Sequence, residues 1–155
     1  MDRISEHISY REATKSNTAL RLNIDNSPSE YHITNMVGIA ENVFEPLRKW
    51  VGGAIKINSM FRSDELNKAI GGSKSSQHCQ GRAIDLDDTF GHKTNAEMFY
   101  YIKDNLPFDQ CIWEFGNDIN PDWVHVSYVS ENENRGRCLK AYRDMEDGKT
   151  KYVFV

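Results

Sequence analysis

The chain has 155 residues, 39% hydrophobic and 27% charged, with 19 basic side chains against 23 acidic ones for a net charge of −4. That length suits a single domain with a real core, and the composition excludes a disordered chain. No strongly basic run marks it for nucleic acid, and no apolar run approaches the length that spans a bilayer, so membrane insertion is not expected.

The start, Met-Asp-Arg-Ile-Ser-Glu-His, has no basic head followed by an apolar stretch. The expectation is therefore synthesis in the cytoplasm without a secretory signal. Cys79, Cys111 and Cys138 form no CxxC pair. An odd, scattered set argues against a disulfide framework and fits a reducing compartment. Cys79 neighbours His78, but adjacent residues of an extended segment point opposite ways, so it reads as a buried thiol rather than a ligand.

In chain order, residues 4–8 read as a short extended segment. Ser9 with Glu12 is a capping-box pattern that opens a short helix through about Ser16. Asn17 to Ser29 is polar and turn-rich and reads as a loop. A long helix is predicted from about Pro28 to Trp50, since Ile33, Met36, Val37, Ala40, Val43, Phe44, Leu47 and Trp50 recur at helical spacing. Pro46 should kink or break it. Ala54 to Phe61 alternates as a strand, and Ser63 caps a short helix stopped by Gly71-Gly72. A loop then becomes a strand at about Ala83, Thr94 with Glu97 opens a helix to Leu106, and strands follow at 110–115 and 123–129. The tail, 138–143 and 151–155 around Glu146-Asp147-Gly148, reads as a hairpin. The fold class is α+β: one domain over 1–155, an antiparallel sheet carrying a metal site, packed by helices.

The chemistry concentrates in Ser-Gln-His-Cys-Gln-Gly-Arg-Ala-Ile-Asp (76–85) and Asp-Trp-Val-His-Val-Ser (122–127). His78, Asp85 and His125 make a nitrogen/oxygen donor set that zinc accepts in catalytic sites, with a fourth position left for water. Strand alternation puts Ile84 and Leu86 on one face and Asp85 on the other, and likewise Val124 and Val126 opposite His125. If the aliphatic faces cover the core, Asp85 and His125 emerge together. His78 must then come from the preceding loop, where Gly81 frees the backbone to turn. A catalytic zinc needs a base, and Asp122 and Glu114 are the candidates, with Asp122 preferred. Arg62, between a strand end and a helix start, is the candidate anion clamp. Each residue alone has a plainer reading: His125 as a satisfied strand histidine, Arg62 as a surface ion-pair partner, and Asp87-Asp88 as a solvated strand end. His7, His32 and His92 fit no pattern.

The combination resembles the M15 family of zinc peptidases, in particular zinc D-alanyl-D-alanine carboxypeptidases and related phage endolysins. Phe-Arg-Ser (61–63), Asn-Lys-Ala-Ile-Gly-Gly (67–72), 76–85, Asp-Gln-Cys-Ile-Trp-Glu-Phe (109–115) and Trp-Val-His-Val-Ser (123–127) match in order across about residues 30–130. The resemblance implies one zinc held by His78, Asp85 and His125, with Arg62 and Ser76 on the substrate and an acidic base before the last histidine. Some relatives carry glutamate where this chain has Asp122, so Glu114 stays open as the base. The tail after Ser130 matches nothing in the family. The expected function is zinc-dependent hydrolysis of peptidoglycan stem peptides or cross-links at or near D-alanine by a monomer, acting on the cell wall if released during phage lysis. Two alternatives are a non-catalytic, zinc-stabilised cell-wall-binding or virion-associated domain, and an α+β domain without metal.

Overall fold

Strand pairing begins at the first residues. A computed structural model describing residues 1–155 pairs β1 (Arg3–Ser5) with β2 (Ile8–Ser9), so the expected extended segment is a small antiparallel ladder whose Ile4 and Ile8 sink into the core. The Ser9 hydroxyl accepts from Glu12 N–H at 3.0 Å and starts α1 (Tyr10–Thr14). A second short helix, α2 (Asn17–Leu22), stands where a loop was expected. Ser16 caps it by accepting from Ala19 N–H at 3.1 Å, and Asn23 ends it in the left-handed conformation at φ 55°. Only Ala19 of this helix is buried, so it has caps but no apolar stripe, and periodicity could not reveal it.

The long helix begins at α3 (Glu30–Ile39), capped by Ser29, and ends at α4 (Glu45–Val51). Between them Ala40–Phe44 forms a π turn, in which Glu45 N–H reaches back to the Ala40 carbonyl. This wider turn lies just before Pro46, which has no N–H to give and whose ring would crowd a regular turn. The expected break is therefore absorbed without losing the stripe. Met36, Ile39, Ala40, Val43, Phe44 and Leu47 are all buried.

The main sheet contains β3 (Lys56–Ser59), β4 (Ala83–Asp87), β5 (Gln110–Glu114), β6 (Trp123–Ser127), β7 (Arg137–Arg143) and β8 (Thr150–Phe154), in spatial order β3-β4-β6-β5-β7-β8. All neighbours are antiparallel except β5 and β7, which run parallel, so the sheet is mixed rather than wholly antiparallel. The cause is the loop after β6. It crosses the end of the sheet and delivers the chain to the start of β5, where Gly136 N–H bonds Phe108 O at 3.2 Å and Arg137 N–H bonds Asp109 O at 2.9 Å. The expected tail hairpin forms as β7 and β8.

Two further helices, α5 (Asp64–Ala69) and α6 (Asn95–Asn105), begin at Ser63 and Thr94 as expected. One face of the sheet presents Ile84, Leu86, Val124, Val126, Cys111 and Trp113 to a core completed by Met36, Phe44, Phe99 and Ile102 from the helices. The other face lines an open cleft. The fold is thus α+β, and no helix is long and apolar enough to cross a membrane.

Candidate metal centre and cleft

Strand register places two of the expected donors side by side. Asp85 on β4 is the direct partner of His125 on β6, and both point away from the helix-covered face. His78 arrives from outside the sheet on a single 3-10 turn, Gln77–Gln80. Ser76 caps that turn by accepting from His78 N–H at 3.3 Å. Gly81 ends it at φ 74°, where an added Cβ would lie 2.5 Å from the His32 carbonyl oxygen, so both the conformation and the space demand glycine. The donor atoms of His78, Asp85 and His125 all lie within 4.8 Å of one another.

The tautomer of His78 identifies the atom that faces this centre. Its Nδ1 lies 2.7 Å from the Met60 carbonyl oxygen, which only accepts, so Nδ1 carries the proton. Burial holds the imidazole below its ordinary pKa, and in the neutral ring this tautomer leaves a lone pair on Nε2. That Nε2 is buried without a hydrogen-bond partner, 3.3 Å from Asp85 Oδ1. Burial opposes charge on Asp85, but the neighbouring His78 and the hydrogen bond with His125 Nδ1 at 3.0 Å outweigh it and hold the carboxyl well below the usual carboxylate range. A lone pair and a carboxylate oxygen facing each other in a buried site form a natural seat for a cation. The donor set, two imidazoles and a carboxylate with the Nδ1–H of His78 anchored on a backbone carbonyl, fits zinc.

Arg62 reaches Asp85 Oδ2 through one guanidinium nitrogen at 3.3 Å and the Ser59 hydroxyl through Nε at 3.0 Å. Its backbone N–H also bonds the His78 carbonyl, at 3.2 Å. It therefore braces the centre and still borders the cleft, as Ser76 does. Glu114, at the end of β5, is one step along the same face from Ile112, the direct partner of His125. It is buried at the cleft wall, and burial pushes its carboxyl up to about 7. Asp122 lies elsewhere. It is solvent-exposed just before β6 and outside the cleft lining, and its backbone N–H bonds the Glu114 carbonyl at 2.9 Å. Of the two candidate bases, only Glu114 shares the cleft with the three donors.

The cleft, of about 760 Å³, runs from the metal centre to the tail hairpin. A row of paired residues crosses the sheet beneath it: Ser59, Asp85, His125, Ile112, Leu139 and Phe154. Ile112, Leu139 and Ala141 form a small apolar floor, and Arg137, Tyr152 and Phe154 border the far end. Sequence reasoning missed this half. The alternation of Arg137, Leu139 and Ala141 was legible, but their pairing with β5 was not. A polar brace joins the halves. Buried Asp109 accepts twice from the Arg135 guanidinium, at 2.9 and 2.7 Å, and from Gln77 Nε2 at 2.9 Å, beside the metal-site histidine. A second group, Glu6, His7 and Glu45, lies at the surface, where His7 Nδ1 already pairs with Glu45 at 2.5 Å.

A comparison with curated proteins finds no match. The family model described as Peptidase M15 matches residues 6–127, well over half of the chain, and that span includes all three donors, Arg62, Ser76 and Glu114. M15 peptidases are zinc-dependent, in keeping with the donors assembled at the head of the cleft. The chain belongs to the M15 family of metallopeptidases.

Proposed function

We propose that this metallopeptidase hydrolyses peptide bonds of peptidoglycan stem peptides or cross-links, at or next to a D-alanine, with one zinc per chain that His78, Asp85 and His125 would hold. The observation that carries the reading is the buried, unpartnered Nε2 of His78 set against Asp85 at the head of an open cleft. Zinc bound there supplies Lewis acidity toward a scissile carbonyl. Glu114 takes a proton from the attacking water as the water oxygen bonds to the carbonyl carbon. It passes that proton to the amine nitrogen as the C–N bond breaks. Arg62 steadies negative charge on the substrate, and the Ser76 hydroxyl hydrogen-bonds its backbone.

Glu114 is preferred to Asp122 because it lines the cleft beside His125, whereas Asp122 is exposed outside it. The length and openness of the cleft favour peptides still attached to the wall over a free dipeptide, and so favour an endopeptidase acting after release at phage lysis. The test is mass spectrometry of defined cell-wall peptides and cross-linked muropeptides incubated with zinc-loaded protein and with a chelated control. Loss of a terminal D-alanine identifies a carboxypeptidase, and a split stem or cross-link identifies an endopeptidase. Absence of any zinc-dependent product overturns the hydrolase reading and favours a non-catalytic wall-binding domain.

A further inference from the structure

Three guanidinium groups border the cleft, those of Arg62, Arg135 and Arg137. Arg62 is paired with Asp85, and Arg135 with Asp109. Arg137 has no carboxylate within ion-pair reach and donates no side-chain hydrogen bond; its Cζ lies 5.2 Å from the centre of the Phe154 ring. A planar guanidinium held over an aromatic face keeps its edge donors free and set in direction. Phe154 and Tyr152 stand on the same face of β8, and their strand partners Leu139 and Ala141 form the apolar floor between them and the metal centre. None of Arg137, Tyr152 and Phe154 falls within the family match, which ends at residue 127.

We infer that Arg137, backed by Phe154, forms a second substrate subsite that takes a carboxylate of an acidic peptide. The inference deepens the peptidase reading and rests on it. Arg137 lies two strands from His125 and two residues along β7 from the row that joins His125, Ile112 and Leu139, roughly 12 Å away. An extended peptide covers that distance in roughly three to four residues. The recognised carboxylate therefore belongs to a residue about three or four positions from the scissile bond. The cleft then has a division of labour: Arg62 acts at the reacting centre, and Arg137 sets the register and prefers acidic stems to amidated ones.

The experiment uses pairs of peptides cleaved by the zinc-loaded protein that differ only in glutamate or glutamine at the third or fourth position from the cleaved bond. The wild type is expected to prefer the glutamate member at one of these positions by about 10- to 100-fold in kcat/KM, the range for one charge-assisted hydrogen-bonded contact. The preference should reside in KM, with kcat little changed. Arg137→Gln should bring the ratio near one, and Arg137→Lys should retain part of it. Phe154→Ala, at the exposed end of the chain, should lower the ratio without unfolding the protein. No preference in the wild type, or a preference that survives Arg137→Gln, overturns the inference. If the wild type cleaves no peptide at all, the peptidase reading fails separately. Calorimetric titration of the same pairs then decides the subsite by whether glutamate binds more tightly than glutamine only when Arg137 is present.

Discussion

The two faces of β4 and β6 are one residue apart in sequence and opposite in character. On one face Ile84, Leu86, Val124 and Val126 are fully buried beneath helices. On the other, Asp85 and His125 meet at 3.0 Å and share a cleft with His78 and Glu114. A side-chain period of two thus separates what holds the fold from what serves chemistry, on the same strands and without a linker. The lesson is that polar groups which would be costly in a core can be held rigidly when the opposite side of their own backbone is locked in it.

Substitutions on each face test that separation. The largest effect belongs to the cleft face. His78→Ala should lose stoichiometric zinc, read by elemental analysis, and all hydrolysis, while circular dichroism stays native. Glu114→Gln should keep zinc and lose about 10²- to 10⁴-fold in turnover. Asp122→Asn should stay within about twofold of wild type, since an exposed group outside the cleft contributes little. The reverse outcome for these two carboxylates would move the base to Asp122.

On the core face, Leu86→Ala should cost about 2–5 kcal/mol in denaturant unfolding. The donors behind it should still bind zinc once folded. Coupled loss of zinc affinity in the folded variant would show that the faces are not independent.

Asp109→Ala breaks the brace between the hairpin and the metal-site turn. The hydrogen bonds from Arg135 lead in holding the Asp109 carboxyl down at about 2, against burial. The folded pKa lies below the unfolded value, so the carboxylate stabilises the fold above about pH 4, and that contribution is lost as pH falls toward about 2. Arg135 is half-exposed, so after screening the expected loss at neutral pH is about 1–2 kcal/mol. The difference between wild type and variant should shrink on acidification. The smallest effect is His7→Ala, which removes an exposed pair with Glu45 and should change stability by less than about 0.5 kcal/mol.

Much of this architecture was legible in the residue order. The Thr94 capping box, the stripe through Leu47 and the alternation around Asp85 and His125 are local signals, and local hydrogen bonds and burial enforce them. The π turn before Pro46 was half legible, since proline announces trouble but not the device that absorbs it. Helix α2 was illegible because its caps had no apolar stripe to accompany them. The base could not be chosen because Asp122 and Glu114 are both acidic and near His125 along the chain or across a strand. Only register shows which of them faces the cleft.

By itself, then, the sequence determined the α+β class, the starts of α1, α5 and α6, and the three side chains that gather as a candidate metal site, because spacing and side-chain period are properties of a chain read one segment at a time. Tertiary structure decided the parallel pairing of β5 with β7, the approach of His78 from a turn outside the sheet, and the union of Arg137, Tyr152 and Phe154 with the metal centre in one cleft. The physical reason is that strand order and loop path depend on which distant surfaces bury one another best, and no local pattern encodes that.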